Sequence, residues 1–504
     1  MQYLEFGLKS PEKPAVIDLA GAWSYSGLAS RAAHVAEALV GRHGLAQGDR
    51  VGLFLPRRKE SVALLLGIFG AGGIAVPFSV RAAARELAHQ IADAGVSRII
   101  FEPSAHAVTL EAVALAKSKD ADPRVIEAAS LKAGGPLARD VSVTAEAPAL
   151  ILYTSGTTGQ PKGVVHTHAS LAAQVDVLFH AWEWSSEDEL LHVLQLHHIH
   201  GLVNGLLGAL RAGAKLRFLD TFSARAVWDE FAARHASVFY AVPTIYHQLI
   251  DCWERQDSAT QQRWAQAAGQ LRLAVSGSAA LPARLWTRWR DLTGQALLER
   301  YGMTEIGMAI SNPYRGERRP GTVGRPLPGL RVRVVSESGQ DAAEGMPGEI
   351  QVNGPSLFRE YWGNLGATRE SFREGYFLTG DIAEMRDGYL CIRGRASVDI
   401  LKSAGYKISA LEIEEVLREH PAVREVAVIG VPDQQWGEIV TACVIPQAGE
   451  TLTLDDLRAW CGDKLAPYKT PRRLELIQDF PRNAMGKVIK PELVRRLSAA
   501  LDFR

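Results

Sequence analysis

Residues 151–165 constrain this chain more than any other stretch. An apolar run that ends at Tyr153 predicts a short buried strand, which breaks into a loop made almost wholly of glycine, serine and threonine. Glycine allows the positive φ angles that a nest of backbone amides needs, so such a loop can close around an anion. Lys162, just after the loop, adds a mobile point charge suited to terminal phosphates. The stretch therefore predicts a phosphate-binding site.

Two other interpretations of the loop fit less well. The P-loop pattern G-x-x-x-x-G-K-[ST] fails on spacing, because the order here is Pro161-Lys162-Gly163. A flexible linker is disfavoured because apolar segments flank the loop on both sides, the second of them at Val164 and Val165.

The run Tyr-Thr-Ser-Gly-Thr-Thr-Gly-x-Pro-Lys-Gly at 153–163 closely resembles the signature of the adenylate-forming superfamily. That superfamily includes acyl-CoA synthetases, the adenylation domains of peptide synthetases, and luciferases. The resemblance implies that ATP binds here and that Lys162 stabilises the departing pyrophosphate. The loop residues that it assigns to the nucleotide are Thr154, Ser155, Gly156, Thr157 and Thr158.

Length and charge limit the class of protein. A chain of 504 residues is too long for one core and predicts two or more domains. With 56 basic and 56 acidic residues, it has no net field to attract nucleic acid or an anionic membrane. The four cysteines are scattered without a C-x-x-C pair, which is typical of free thiols in a reducing cytosol. We therefore expect a cytoplasmic protein.

Neither a signal peptide nor a membrane span is predicted. The N-terminus lacks a basic region followed by a long apolar run. The most apolar window, residues 62–80, is interrupted by four glycines and Pro77. It divides more naturally into a buried helix over 61–69 and a strand over 74–78.

Strand-like and helix-like segments alternate over residues 13–110 and again over 149–330, which predicts an α/β fold with a mainly parallel sheet. Short strands with glycine-rich turns over 324–394 predict a more antiparallel β subdomain. Helices are expected over 411–419 and 454–465, and a strand over 296–298. We predict a large N-terminal AMP-binding domain of layered α/β subdomains plus a β subdomain over residues 1–394. A small mobile α+β C-terminal domain with the catalytic lysine would follow over 395–504.

Residues 301–305, Tyr-Gly-Met-Thr-Glu, resemble a second motif of the superfamily, Tyr-Gly-x-Thr-Glu. The resemblance implies that Tyr301 packs on the adenine beside Gly302, and that Thr304 contacts the α-phosphate. It also implies that Glu305 holds magnesium, and a carboxylate suits a hard cation that keeps several waters. The alternative, that Glu305 is an ordinary surface carboxylate, is disfavoured by the motif.

Three further segments complete the implied nucleotide site. Leu-Thr-Gly-Asp at 378–381 resembles the ribose-binding turn, with Asp381 on the ribose hydroxyls, although Thr-Gly-Asp alone is often only a turn. Arg395 resembles the arginine that reaches the nucleotide phosphates. The loop after a predicted strand over 271–275 would hold ligand through three small residues, Gly277, Ser278 and Ala279.

Residues 481–487, Pro-Arg-Asn-Ala-Met-Gly-Lys, resemble the superfamily's C-terminal catalytic segment. Lys487 would then bridge the substrate carboxylate and the α-phosphate, where a cation lowers the repulsion of two approaching anions. The alternative is a solvated surface lysine. A thiol would enter past Lys402, Ser403 and Gly405 once the C-terminal domain has rotated about residues 396–398. The hinge departs from the family pattern, because Asp399 lies later and one extra residue precedes Gly405.

Arg300 stands where the superfamily usually has a small residue. If this position faces the acyl pocket, as the resemblance implies, a second carboxylate on the substrate would satisfy the cation, and a fatty acid would not. His200, Ser276 and Met303 are the other substrate-binding candidates. Two alternatives stay open: Arg300 could pair with Glu299 or another internal carboxylate and leave the pocket neutral, and His200 could be a core histidine.

Arg300, the His-His-Ile-His-Gly run at 197–201 and Ser-Gly-Ser-Ala at 276–279 resemble malonyl-CoA synthetases in particular. The resemblance implies an AMP-forming malonate–CoA ligase that uses ATP, Mg²⁺ and coenzyme A, with methylmalonate as a secondary substrate. Its partners would be a small dicarboxylic acid and CoA, or a carrier protein, without nucleic acid or integral membrane contact. A short-chain monocarboxylate–CoA ligase, a stand-alone adenylation protein that loads a carrier, and a non-catalytic ATP-binding relative are the alternatives.

Overall fold

A computed structural model of the chain describes residues 2–119, 121–131, 141–154, 161–433, 435–482 and 487–501. Within these residues the strands form four sheets. Two large sheets are built from the first two thirds of the chain and the strand Glu360–Tyr361, a third sheet lies within residues 331–395, and a fourth lies in the C-terminal part.

The first sheet contains seven strands in the described residues and holds the strand that leads into the glycine-rich loop. Its order across the sheet is Glu360–Tyr361, Lys162–Thr167, Pro148–Thr154, Ile74–Phe78, Arg50–Phe54, Arg98–Phe101 and Arg124–Glu127. The last five of these strands are mutually parallel, whereas Lys162–Thr167 runs antiparallel to both of its neighbours. The antiparallel register sets Thr154 opposite Lys162, so the two flanks of the loop lie side by side.

The second sheet contains nine strands in the part of the chain that the structure describes. Its order is Arg325–Pro326, Gly307–Ser311, Leu298–Met303, Leu273–Ser276, Val238–Ala241, Glu189–His192, Lys215–Phe218, Pro14–Asp18 and Gly21–Ser24. The six strands in the middle of this order are parallel. Parallel strands need crossover connections, which is why helices separate them along the chain.

The helices cover the faces of these two sheets and contribute to the C-terminal part. The α-helices are Tyr25–Glu37, Lys59–Gly70, Ala84–Ala94, His106–Lys117, His168–Ala181, Gly208–Arg211, Ala224–Ala232, Pro243–Glu254, Ser258–Ala268, Ala283–Thr293, Leu365–Glu370, Ala410–Arg418, Leu454–Cys461 and Lys490–Leu501. Ala38–Arg42 and His200–Leu207 are π-helical, and short 3₁₀ turns span Gln2–Leu4, Gly7–Lys9, Pro103–Ala105, Ala128–Leu131 and Pro467–Lys469.

The third and C-terminal sheets are mainly antiparallel. The third sheet consists of Arg331–Val335, Gly348–Asn353, Phe372–Arg373, Tyr376–Arg386 and Tyr389–Arg395. The C-terminal sheet consists of Ile400–Ser403, Tyr406–Ser409, Val423–Asp433, Gly437–Pro446 and Arg473–Leu476. The prediction of an antiparallel β subdomain after residue 324 is confirmed.

One apolar cluster holds the two large sheets together. It contains buried side chains of both, among them Leu53 and Leu150 of the first sheet and Val238 and Leu273 of the second. The apolar window at 62–80 is a buried helix, Lys59–Gly70, followed by the strand Ile74–Phe78. No helix among the described residues has the length and apolar character needed to cross a membrane.

Several predicted elements differ from the structure near the candidate site. The strand expected over 296–298 is Leu298–Met303, so Arg300, Tyr301 and Gly302 lie inside a strand and do not follow one. Leu-Thr-Gly-Asp at 378–381 also lies within a strand, Tyr376–Arg386, at a register shift where Gly380 has a φ of 70°. The helix expected over 454–465 ends at Cys461, just before a glycine.

A buried ion-pair network joins the last helix to the segment that follows the third sheet. The ammonium of Lys490 lies 2.5 Å from Asp399 Oδ1 and 2.7 Å from Glu414 Oε1. The second carboxylate oxygen of Asp399 accepts a hydrogen bond from the Arg395 backbone amide at 3.1 Å. Burial alone would raise the pKa of the Asp399 carboxyl. The charge of Lys490, the hydrogen bonds from Lys490 and the Arg395 amide, and the charge of Lys487 outweigh burial, so the pKa lies below its usual value. Lys490 therefore bridges two carboxylates that have little access to water, and Arg418 Nη2 adds a second cation at 2.7 Å from Glu414 Oε2.

We expect Lys490→Met to lower the free energy of unfolding of the C-terminal part by about 3–5 kcal/mol, because it removes the cation that two buried carboxylates share. Hydrogen exchange at the amides of Lys490–Leu501 and Ala410–Arg418 measures this loss. Arg496→Met is the control, since its pair with Glu492 is exposed and should contribute less than about 1 kcal/mol. Equal effects of the two variants would contradict the interpretation.

Candidate active site

The loop of residues 276–279 and the strand that carries Arg300 and Tyr301 lie side by side at the end of the second sheet. Ser276 ends one strand and is paired with Glu299 on the next, so residues 276–279 emerge beside Arg300. The other edge of the Arg300 strand is hydrogen-bonded to Gly307–Ser311, with Arg300 opposite Ser311. Ligands of open α/β sheets bind at such carboxyl ends of parallel strands.

Arg300 is buried and incompletely hydrogen-bonded. Its side chain belongs to a residue that is 5% exposed, and its Nε and Nη2 atoms have no hydrogen-bond partner among the described residues. The guanidinium lies against the backbone at Gly277, where an added Cβ would come within 2.5 Å of Cζ. Gly277 thus leaves the space that the guanidinium fills, and any larger residue would displace it.

His200 and Ser276 add further unused polar atoms near Arg300. The Nδ1 atom of His200 is 3.1 Å from Ser278 Oγ, and its ring stacks on Tyr240 with the centroids 5.9 Å apart. His200 Nε2 and Ser276 Oγ are buried and have no partner in the described part of the chain. A buried polar group without a partner is costly, so a cluster of such groups indicates a place for a polar ligand.

Burial sets the charges in this cluster. Burial lowers the pKa of Arg300 to about 9, so the guanidinium remains charged at neutral pH. Burial, together with the charge of Arg300, holds the pKa of His200 well below its usual range, so the imidazole is neutral. The cluster therefore offers one fixed cation and a neutral hydrogen-bonding ring.

The alternative that Glu299 pairs with Arg300 is not observed among the described residues. Successive strand residues point to opposite faces of a sheet, and the Oε1 atom of Glu299 instead accepts the Leu281 amide at 3.1 Å. Burial raises the pKa of Glu299 to about 8, and its Oε2 atom has no partner in the described chain. Glu299 is therefore largely uncharged at neutral pH and does not neutralise the guanidinium.

Three residues of the predicted nucleotide site are in direct contact although the sequence separates them. The Tyr301 hydroxyl donates to Asp381 Oδ2 at 2.7 Å. Arg395 donates to both carboxylate oxygens of Asp381, through Nε at 2.8 Å and Nη2 at 3.1 Å. The predicted roles on adenine, ribose and phosphate stay predictions, but the three side chains share one location.

Glu305 has the properties of a cation ligand. The residue is 6% exposed, and no arginine, lysine or histidine among the described residues forms an ion pair with it. Its Oε1 atom accepts a hydrogen bond from the Tyr361 hydroxyl at 3.0 Å, and burial raises its pKa. A buried carboxylate without a protein cation fits magnesium, which binds through one or two carboxylates and keeps waters.

Two residues near Glu305 were not predicted from the sequence. His166 Nε2 is 2.8 Å from the backbone oxygen of Thr304, and burial lowers the pKa of His166 to about 4. Tyr361 contacts Glu305 through its hydroxyl, and Lys162 through its ring, with the ammonium 4.8 Å from the ring centroid. Nothing in the sequence around Tyr361 marks it, because both contacts depend on strand pairing.

The other predicted residues are placed as follows. Met303 ends the Arg300 strand, and Gly302 is needed there because an added Cβ would lie 2.1 Å from the Gly307 oxygen. Ser278 has a φ of 69°, and Ala279 is exposed in the same loop. Ser155, Gly156, Thr157 and Thr158 lie outside the described residues.

The predicted CoA-binding residues form a β-hairpin in the C-terminal sheet. Lys402 and Ser403 end one strand, and Ala404 and Gly405 form its turn with φ angles of 52° and 81°. An added Cβ on Gly405 would meet no atom of the described residues within 4 Å, so the turn conformation is what favours glycine here. Lys487 comes directly before Val488, which pairs with Arg482. The charge of Lys487 lies close enough to the Asp399 carboxyl to lower the pKa of Asp399.

We expect Glu299→Gln to flatten the dependence of stability on pH. The folded-state pKa of about 8 exceeds the usual 4.5, so the stability linked to this proton is complete below pH 4.5 and is lost as the pH rises through 8. Glutamine keeps an acceptor for the Leu281 amide but does not ionise. The melting temperature of the wild type should therefore fall more steeply than that of the variant between pH 5 and 9. Glu254→Gln, at an exposed pair with Arg288, should retain the wild-type slope.

Comparison with known proteins places this geometry in a family. The model of the AMP-binding enzyme family matches residues 5–362, and that of the AMP-binding enzyme C-terminal domain matches residues 412–487. A malonate–CoA ligase of Arabidopsis thaliana is 44% identical, over 90% of this chain and 79% of the relative. The mitochondrial malonate–CoA ligase ACSF3 of Bos taurus is 42% identical, over 96% of this chain and 88% of the relative.

Among solved structures, ATP-bound MatB from Rhodopseudomonas palustris superimposes with a TM-score of 0.90 at 35% sequence identity, covering 99% of both chains. The likeness therefore extends over both the large N-terminal part and the C-terminal part. With its two family matches, its relatives and its clustered motif residues, this chain belongs to the AMP-binding enzyme family.

Proposed function

We propose that this chain is an ATP-dependent malonate–CoA ligase, which forms malonyl-AMP and then malonyl-CoA and releases pyrophosphate and AMP. The observation that carries the proposal is the buried guanidinium of Arg300, whose Nε and Nη2 atoms have no partner in the described chain. Two relatives that are 44% and 42% identical, over 79% and 88% of their own lengths, are named malonate–CoA ligases, which supports the same substrate.

The energetics of Arg300 favour a dicarboxylate. A buried charge without a partner costs several kcal/mol, and a planar guanidinium binds a carboxylate through two parallel hydrogen bonds. Glu299 does not supply this acceptor, because it lies on the opposite face of the strand and burial raises its pKa to about 8. The distal carboxylate of malonate supplies the missing acceptor, and that of methylmalonate does so too. A monocarboxylic acid leaves the cation unpaired.

The neutral polar groups around Arg300 support the same class of ligand. His200 Nε2 and Ser276 Oγ are available as hydrogen-bonding atoms beside the guanidinium. Because His200 is neutral, the pocket carries one positive charge, which matches one distal carboxylate. The proximal carboxylate of the acid is then free to react.

In the first step, an oxygen of that proximal carboxylate attacks the α-phosphorus of ATP in line, and the bond to pyrophosphate breaks. Lys162 stabilises the negative charge on the departing pyrophosphate, and Lys487 lies between the two anions that approach each other. Tyr301 and Asp381 hold the adenine and the ribose, Arg395 reaches the nucleotide phosphates, and Thr304 contacts the α-phosphate. Bound magnesium, held by Glu305, would neutralise phosphate charge.

In the second step, the thiol of CoA attacks the acyl carbon of the adenylate, and AMP leaves. We propose that residues 395–504 move as a domain against residues 1–394 between the two steps. The strand Tyr389–Arg395 belongs to the third sheet, whereas Asp399 is bound to Lys490 of the last helix, which supports a pivot between them. The thiol would pass the hairpin of Lys402, Ser403 and Gly405.

A carrier-bound thiol in place of free CoA, and a short monocarboxylic acid in place of malonate, are the competing versions of this function. The relatives named CoA ligases favour free CoA. Cytoplasmic location stays a prediction from the scattered cysteines, and some relatives are named mitochondrial.

Arg300→Gly should lower kcat/KM for malonate on the order of 100-fold or more, because it removes one partner of a desolvated charge pair. The measurement is pyrophosphate release with a panel of malonate, methylmalonate, acetate and butyrate, first without and then with CoA. Acetate and butyrate should lose far less. Arg300→Lys is the matched variant, because it keeps the charge but not the paired donors. Its kcat/KM for malonate should lie between the values of the wild type and of Arg300→Gly. Equal losses for all acids would contradict the proposal.

Lys487→Ala should lower the rate of malonyl-AMP formation on the order of 100-fold, because the cation that reduces repulsion in the transition state is gone. Formation of malonyl-CoA from supplied malonyl-AMP should be nearly unchanged. Both half-reactions are followed by rapid quench. Lys464→Ala, on an exposed side chain that contacts Trp460, serves as control. A variant that retains adenylation would refute the role of Lys487.

A further inference from the structure

Tyr361 contacts two residues that carry opposite charges in the proposed adenylation step, Glu305 and Lys162. Its hydroxyl donates to Glu305 Oε1 at 3.0 Å, and the ammonium of Lys162 lies 4.8 Å from its ring centroid. Tyr361 is itself buried, with its ring 4.8 Å from that of Phe358. One side chain thus carries a hydrogen-bond donor for the carboxylate and a π face for the ammonium.

The backbone around Tyr361 joins the same two segments. The Phe358 amide donates to the backbone oxygen of Glu305 at 2.7 Å, and the Trp362 amide donates to the backbone oxygen of Gly163 at 2.7 Å. Between them, Glu360–Tyr361 pairs antiparallel with Val164 and Val165, two and three residues after Lys162. Residues 358–362 therefore fix the Glu305 segment of the second sheet against the Lys162 strand of the first.

The hydroxyl of Tyr361 has no evident packing purpose. A phenylalanine would fill the same space beside Phe358 and would keep the ring under Lys162. It would leave Glu305 Oε1 without its donor, and the carboxylate is almost completely buried. A charge-assisted hydrogen bond holds a carboxylate in one orientation more firmly than packing does.

We propose that Tyr361 is a positioning residue for adenylation, which orients the Glu305 carboxylate toward the metal of metal–ATP through its hydroxyl and holds Lys162 through its ring. The two contacts are separable, since the hydroxyl serves the metal ligand and the ring serves the phosphate-binding lysine. This inference rests on the proposed roles of Glu305 and Lys162, but not on the identity of the acid.

The test uses binding in the absence of any acid or CoA, with Mn²⁺ as the probe of the metal position. Electron paramagnetic resonance titration measures the Mn²⁺ affinity of the enzyme–ATP complex, and calorimetry in EDTA measures the affinity for metal-free ATP. Tyr361→Phe should weaken Mn²⁺ binding about 10-fold, because it removes a hydrogen bond to a charged group, and should leave metal-free ATP binding within about 2-fold. Tyr361→Leu should weaken both, since the π face is also gone.

Tyr389→Phe is the matched control. Tyr389 is equally buried, and its hydroxyl donates to the Glu317 backbone oxygen at 2.9 Å, away from Glu305. This variant should leave both affinities unchanged. Circular dichroism confirms that the compared variants are folded, and the conservative Tyr361→Phe variant keeps the test valid if Tyr361→Leu is unstable.

A double-mutant cycle with Glu305→Gln gives the decisive comparison. If the Tyr361 hydroxyl acts through Glu305, Tyr361→Phe should cause no further loss of Mn²⁺ affinity in the Glu305→Gln background. Equal losses in both backgrounds, or Mn²⁺ affinity in Tyr361→Phe that equals the wild type, would overturn the proposal. Wild-type protein that binds no Mn²⁺–ATP would overturn the nucleotide site itself, whereas failure with malonate alone would leave these measurements intact.

Discussion

A guanidinium that is removed from water needs hydrogen-bond acceptors. The fold buries the guanidinium of Arg300 where the described residues supply too few acceptors. The strand that carries it lies inside the second sheet, so the side chain cannot reach solvent, and Gly277 provides the space for it. Strand alternation directs Glu299 away, so the nearest carboxylate in sequence does not neutralise it. One buried cation beside a neutral His200 would favour an anionic group at this position.

The rest of the site depends on how the sheets are joined. Lys162 belongs to the first sheet, Glu305 follows a strand of the second, and Asp381 lies in the third. The segment 358–362 connects the first two by backbone hydrogen bonds, and Tyr301 connects the second to the third through Asp381. Through these links, charged side chains from three sheets are held in fixed relation to one another.

The order of strands and helices near the glycine-rich loop and in the apolar window at 62–80 could be predicted because their hydrophobic patterns are strong. The ends of elements could not. Arg300, Tyr301 and Gly302 were placed after a strand although they lie inside it, since charged and polar residues weaken the apolar pattern that marks a strand. With the longer strand, alternation would have separated Glu299 from Arg300. His166 and Tyr361 escaped prediction because each acts on a residue more than 50 positions away.

The sequence by itself predicted the chemistry of the chain, since the glycine-rich loop, the Tyr-Gly-Met-Thr-Glu motif and residues 481–487 are local patterns of residue types. Local patterns depend only on neighbours along the chain, so they can be recognised without a fold. The tertiary structure alone decided that Arg300 is buried with too few partners among the described residues, that Glu299 is not its counter-ion there, and that Tyr361 contacts both Lys162 and Glu305. Burial and desolvation arise only when distant strands pack together, and these are the quantities that set charge and specificity.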